Sequence, residues 1–396
     1  MNKQDLPYWR LSNFYFFYFA SLGALMPYLG VYLQSNGYSA WHVGLVLAVV
    51  QGTKIIAPNI WGWIADKNGN RMGIIRLAAF MTLLVFSMIL LSTKLPFFII
   101  VIFLFSFFWN AMLPQFEAVT FDFLGKKTDL YGRTRLWGSV GFIVAIVGTG
   151  ALMDKFGDNV LITVVICLLF FICLSTLFVA NRSKDTISTS SFHIKEVLLQ
   201  KPVVAFFVVC FLVQASHAPY YSFFSIYLTE QGFNNLVVGQ IWSIGVVAEI
   251  ALFLVMHHLS KRFSLRNILL LSLVLTVVRW LLIAWLVNNI FALVIAQIFH
   301  AASFGAFHVV AIQLVNQYFV GQNQGRGQAL YSSIGYGLGG MCGSLMAGYL
   351  WLTLSASWVF SIAAVLSFLA LLVAWVYIAK NNPLLSTNAE NDLNII

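Results

Sequence analysis

The chain is 396 residues long, 60% hydrophobic and only 9% charged, with a formal net charge of +9 and a mean hydropathy of +0.87. A water-soluble domain carries roughly 25% charged residues, so this composition excludes a soluble globular fold and makes lipid the solvent. No nucleic-acid partner is expected, because the positive charge lies in short segments between apolar runs, where it reports topology.

Twelve apolar runs follow one another, each long enough to cross a hydrocarbon layer of about 30 Å at ~1.5 Å per residue. They span approximately 11–33, 41–64, 73–92, 96–122, 134–153 and 158–180, then 202–229, 236–259, 267–287, 289–318, 327–351 and 355–379. The first is too long for a signal-peptide core and no small-residue cleavage site follows it, so it is predicted to be a span. The polar stretch Asn181–Lys201 divides the runs six and six. The expected organisation is an all-α polytopic membrane protein with a six-helix bundle over 1–181 and a cytoplasmic linker over 182–201. A second bundle over 202–380 and a polar cytoplasmic tail over 381–396 complete it. Cys167, Cys173, Cys210 and Cys342 all lie in apolar runs without CxxC or Cys/His spacing, and read as small buried hydrophobes.

Of the 22 Lys and Arg, 18 fall in segments on the side of the N-terminus. Lys94 and Lys155 fall on the opposite side, and Lys54 and Arg279 lie inside spans. The positive-inside rule then places both termini in the cytoplasm.

Shifting the second half by 195 residues onto the first aligns 20–44 with 215–239, with identities that include Tyr32/Tyr227, Gly37/Gly232 and Gly44/Gly239. Glycines recurring at matching loop positions point to an internal repeat. Two six-helix halves in parallel repeat are the major facilitator architecture, in which substrate binds near the midplane and one half rocks against the other. The loop after span two reads Gly62-Trp-Ile-Ala-Asp66-Lys67-Asn-Gly69-Asn-Arg71 and resembles the superfamily's GxxxDxxGxR signature. The resemblance implies a cytoplasmic gate built on Gly62, Asp66 and Arg71; the alternative is an ordinary charged loop. In the second half only Arg266 matches, opposite Arg71, so an asymmetric gate is expected.

Tyr131-Gly-Arg133-Thr-Arg135-Leu-Trp137-Gly-Ser139-Val-Gly141 and Gln214-Ala-Ser-His217-Ala-Pro-Tyr220-Tyr221 carry a closer likeness. Trp242-Ser-Ile-Gly245-Val-Val-Ala-Glu249 and Gln297-Ile-Phe-His300, followed by His308, extend it. The set resembles the phenylpropionate permease group of the superfamily, itself related to the lactose permease and nucleoside symporters, over about residues 8–380. The resemblance implies proton-coupled uptake of a small organic solute across a bacterial inner membrane. It points to 3-phenylpropionate or a related aryl carboxylate as the example, with a galactoside or nucleoside as the alternative.

An ionisable side chain at mid-bilayer costs at least ~2.5–3.5 kcal/mol and so marks a functional position. Glu249 lies ten residues from the end of its span, Arg279 twelve, His217 fifteen and His300 eleven, which puts all four near the midplane. Glu249, Arg279, His300 and His308 form the expected proton-coupling set. Protonation of Glu249 would release Arg279, as a similar carboxylate–arginine–histidine set in the lactose permease implies. The competing reading is a static Glu249–Arg279 pair that joins two helices.

Lys54 aligns with Glu249 at the same offset, so equivalent positions carry opposite charge. It either neutralises Glu117, or presents a cation to an anionic substrate, or extends its amine to the interface. Lys54, Glu117, His217, Tyr220 and Trp242 are the candidate substrate-binding residues, and Asp122 with Arg133 a further cytoplasmic gate pair. Glycines 138, 141 and 148 in span five and 335, 337, 339, 340 and 343 in span eleven allow close helix contact.

No HExxH, no aspartate pair of intramembrane-protease type and no P-loop occurs, and the span-ten histidines lack a metal-ligand partner at suitable spacing. An enzyme is therefore not expected, nor a metal or other cofactor, and an ion gradient is the expected driving force. An exporter or a non-transporting membrane sensor remains as a further alternative. The expected partners are a small-molecule substrate, protons and membrane lipid, with the protein a monomer.

Overall fold

The computed structural model describes residues 7–125, 130–181, 194–320 and 323–378. Most of the expected linker and all of the expected tail lie outside these residues.

Among the described residues eleven helices are long and apolar enough to cross a membrane, a twelfth segment over 324–353 is helical with a π-helical stretch, and there is no strand. The first set is α1 (Tyr8–Ser35), α2 (Ala40–Asn68), α3 (Arg71–Leu91), α4 (Leu95–Leu124), α5 (Leu130–Phe156) and α6 (Val160–Leu177). The second set is α7 (Lys201–Glu230), α8 (Asn235–Arg262), α9 (Leu265–Leu286), α10 (Ile290–Tyr318), α11 (324–353) and α12 (Ala356–Tyr377). A short helix, Ile194–Leu198, precedes α7. Each helix of the second set begins 193 to 196 residues after its counterpart. Gly37 and Gly232, which follow α1 and α7, both take left-handed backbone, with φ of 82° and 89°. That conformation favours glycine, so the repeated residue carries a repeated turn.

Two helices depart from α geometry. The π-helical turns Ala301–Ala306 in α10 and Ser332–Gly339 in α11 widen the backbone ladder, a distortion that is frequent at functional sites.

Helices pack closely where glycines remove side chains. On α5, a Cβ at Gly138 would strike the Phe19 ring and one at Gly141 would strike the Phe16 carbonyl, so α1 and α5 meet nearly backbone to backbone. On α11, Gly335, Gly339 and Gly343 run against Cys210, Phe211 and Ala215 of α7. Gly148, which the sequence grouped with Gly138 and Gly141, faces open space.

Arginines close the final carbonyls of the sixth helix in each set. Arg76 on α3 donates to Thr176 O (3.3 Å) and Val179 O (2.8 Å). Arg266 on α9 donates to Trp375 O (2.8 Å) and Ile378 O (2.7 Å). Both satisfy carbonyls the helix leaves over, at its negative dipole end. Tryptophans 9, 63, 285, 358 and 375 are exposed near helix ends, where amphipathic rings suit a membrane interface.

Residue contacts separate into two compact units, and the division cuts three helices partway along. One unit gathers the described residues before position 188 with Tyr220–Ser243 of α7 and α8 and Ser344–Thr353 of α11. The other holds the rest of α7 from Lys201 to Pro219, with Ile244–Gly343 and the residues from Leu354. The cut in α7 falls at Pro219, an interior helix proline that removes one backbone donor.

Candidate functional site

In the unit that contains α9 and α10, a polar cluster lies among buried apolar side chains. Arg279 is fully buried; its Nε donates to Ala296 O (3.1 Å) and its Nη1 to Ser303 Oγ (3.1 Å). Ser303 lies in the π-helical turn of α10, so that distortion supplies one of the arginine's acceptors. His300, on the same helix, brings Nε2 to 3.8 Å from Glu249 Oε2, with the two side chains 8% and 18% exposed. Arg279 and His217 stand within electrostatic reach of His300. His217, held by Val213 O at 2.8 Å, sets its ring edge-on to Trp280 at 4.9 Å, and the Trp280 indole N–H reaches Ser216 and Ser367. Glycine makes room for the group: a Cβ on Gly245 would press on His300 and Gln297, and one on Gly305 on Glu249.

Four of the residues singled out in the sequence, Glu249, Arg279, His300 and His217, thus come together. His308 lies two turns further along α10, separated from His300 by Phe304. The Phe304 ring stacks on His300 at 5.4 Å and on His308 at 6.2 Å. His308 Nδ1 meets the hydroxyls of Tyr331 (3.0 Å) and Tyr336 (3.1 Å) on α11. Neither tyrosine was identified from sequence, because nothing local ties residues in different helices.

In the other unit, Glu117 on α4 accepts from the Tyr131 hydroxyl at 3.0 Å and pairs with Arg135 Nε at 4.0 Å. The Arg135 guanidinium lies over the Phe19 ring at 3.7 Å, a cation–π contact. Tyr15, buried beside it, bonds Thr120 at 3.0 Å. Lys54, half-buried on α2, follows Thr53, whose hydroxyl takes the Asn110 amide at 2.9 Å. The described ion-pair partner of Glu117 is therefore Arg135, which the sequence singled out only as part of the Tyr131–Gly141 motif. The Tyr220 and Trp242 rings meet at 4.3 Å with their planes tilted by 42°, and the Trp242 N–H donates to Ser225 at 3.0 Å. They stand in this unit, while His217 stands in the other.

The expected gate loop has a definite geometry. Arg71 Nη2 donates to Asp66 Oδ1 at 2.7 Å and Nη1 to Gln115 at 3.4 Å, while Gly69 turns the chain with φ of 64°. Gly62 faces the Gln115 side chain. Asp122 is half-buried near the end of α4; Arg133 is exposed in the first turn of α5, with its carbonyl taking the Tyr8 hydroxyl at 3.3 Å. Among the described residues no group of three or more His, Cys, Asp and Glu converges as a metal site. A cavity of about 450 Å³ among α8, α9 and α10 is lined by Leu252, Leu259, Phe263, Ile268 and Leu271. Its wall is nearly all apolar and lacks the convergent polar groups that orient a solute.

Two repeated sets of helices with ionisable side chains buried along them have the major facilitator fold, and the proteins this chain resembles are transporters, not enzymes. The chain belongs to the MFS_1 like family, whose family model matches residues 8–362. It is 28% identical over 368 residues to a probable 3-phenylpropionic acid transporter of Escherichia coli (strain K12), covering 88% of this chain and 93% of the relative. It is 26% identical over 370 residues to a maltose permease of Geobacillus stearothermophilus, covering 91% and 92%. A solved structure of a variant of the nucleoside transporter NupG superposes with a TM-score of 0.82 at 17% identity, covering 94% of this chain and 99% of that one.

Proposed function

We propose that the protein imports a small organic solute with protons by alternating access, and that the solute is 3-phenylpropionate or a related aryl carboxylate. The observation that carries the coupling is the buried Glu249–His300 contact within reach of Arg279. Protonated Glu249 no longer attracts Arg279, and the helices that bear the two are freed to move; deprotonation restores the attraction. Glu249, Arg279, His300 and His308 form the coupling set: Glu249 exchanges the proton, Arg279 stays charged as the group it holds, and His300 and His308 extend the path toward Tyr331 and Tyr336.

The likeness to a probable 3-phenylpropionic acid transporter supports the substrate. Lys54 supplies a cation for the carboxylate. Glu117, Tyr220 and Trp242 of the same unit, the last two with aromatic faces suited to a phenyl ring, and His217 of the other unit are the further substrate-binding candidates. The second reading, a sugar or nucleoside symporter, is favoured by the maltose permease likeness. The distribution of Lys and Arg supports an inner-membrane protein with both termini in the cytoplasm. The loop of Gly62, Asp66 and Arg71, with Asp122 and Arg133, is its cytoplasmic gate. The protein works as a monomer in lipid, with substrate and protons as its only ligands and the gradient as its driving force.

The test is uptake of labelled 3-phenylpropionate into proteoliposomes under an inward proton gradient, with maltose and a nucleoside in parallel. Accumulation of the aryl acid that a protonophore abolishes is the expected result. Accumulation of only the sugar or nucleoside would overturn the substrate and the anion role of Lys54 while leaving the coupling in place.

A further inference from the structure

The connections 36–39, 157–159 and 231–234 lie together at one end of the unit that holds α1 to α6. There, two helix crossings within a single compact unit repeat one another. At the first, Gly44 of α2 lies against Gly348 of α11, and a Cβ on either would come to 2.7–2.8 Å from the partner's Cα. At the second, Gly239 of α8 lies against Ile146 O of α5, with Gly150 of α5 against Asn235 O. Gly44 and Gly239 are 195 residues apart, the repeat offset. The Tyr28 hydroxyl enters the second crossing and donates to Ile146 O (2.9 Å) and Asn235 O (2.8 Å).

The helix starts at these crossings differ. A helix leaves its first backbone N–H groups without internal acceptors. At α2, Ser39 and His42 form a capping box of their own. At α8, the Asn234 side chain takes only the Val237 N–H, at 2.9 Å. The N–H groups of Asn235 and Leu236 donate instead to the two oxygens of Asp154 on α5, both at 2.9 Å. One carboxylate from the first half thus completes the cap of a helix in the second half. It does so with two charge-assisted bonds at the positive end of the helix dipole.

We infer that Asp154 is the clasp of the outer gate: its carboxylate, seated on the N-terminus of α8, holds the α5–α8 crossing shut and sets how often that end opens. The α2–α11 crossing, which meets through glycines, follows. Opening must separate Asp154 from both donors, and water takes their place on each side. This rests on the alternating-access reading for its function, but the contact itself can be tested without any substrate.

The experiment measures the labelling rate of a Ser222→Cys reporter by a membrane-impermeant maleimide, against the same protein without the reporter. Ser222 is buried, and its carbonyl lies where a Gly30 Cβ would stand. Asp154→Asn keeps the shape and removes the charge. Asn235→Pro removes one donor from the other side, at the first helical position, where proline is tolerated. Each is expected to raise the labelling rate, Asp154→Asn by about tenfold, as the loss of charge assistance in two bonds implies. Labelling is run on right-side-out and inside-out vesicles. A rise from outside supports both the clasp and the assigned topology. A rise only from inside supports the clasp and overturns the topology on which the import reading stands. Unchanged rates for both variants, with normal thermal unfolding in detergent, would overturn the clasp.

Discussion

His300 Nε2 faces Glu249 Oε2 at 3.8 Å while the Phe304 ring covers the imidazole face at 5.4 Å, so the histidine is held edge-on to a carboxylate. Glu249→Gln removes the proton site and keeps the shape. Gradient-driven accumulation is expected to disappear while substrate exchange at equal concentrations persists. Parallel uptake and counterflow measurements check this, and equal loss of both would remove Glu249 from the coupling role.

His308 bonds two tyrosines, and Tyr331 is only 2% exposed. His308→Phe deprives the phenols of that partner at a cost of about 1–3 kcal/mol. A lower midpoint of thermal unfolding in detergent is the expected outcome; an unchanged midpoint would show that the bonds add nothing to stability.

Gly141→Ala and Gly148→Ala form a matched pair on α5. The first drives a methyl group into the Phe16 carbonyl of α1, and the second enters open space. Gly141→Ala is expected to destabilise by about 1–3 kcal/mol, as overpacking does. Gly148→Ala should be neutral or stabilising by up to ~1 kcal/mol through helix propensity. Thermal unfolding of both proteins, side by side, decides it.

Arg71 and Asp66 bond at 2.7 Å with side chains 33% and 67% exposed. An exposed pair contributes about 0–1 kcal/mol, so Arg71→Ala should leave the unfolding midpoint nearly unchanged. If the pair gates transport, the uptake rate falls nonetheless. A proportional fall in both quantities would reduce the loop to a structural role.

The span boundaries were legible in the sequence to within a few residues, because each bilayer-length apolar run is bounded by charge, glycine or proline. The repeat was legible too, and Gly37 and Gly232 adopt the same left-handed turn. The Arg71/Arg266 match was a match of position without a match of partner. Arg71 serves Asp66, while Arg266 closes α12 much as Arg76 closes α6. Residue counting put Glu249, Arg279, His300 and His217 at one depth, but that their four helices turn them toward one another was not legible in it. The Tyr331 and Tyr336 partners of His308, the Arg135 partner of Glu117 and the Asp154 contact with α8 depend on which helix faces which. Periodicity carries no such information, and the π-helical turns have no distinctive composition.

Arg266 also ties together two helices that lie far apart in the chain. Its acceptors, Trp375 O and Ile378 O, lie 109 and 112 residues downstream, so the third helix of the second half reads the terminus of the last one. A chain cut before Trp375 forfeits both acceptors and leaves that guanidinium facing an unfinished helix. A chain cut after Ile378 keeps them, which makes that residue the natural point for appending a reporter.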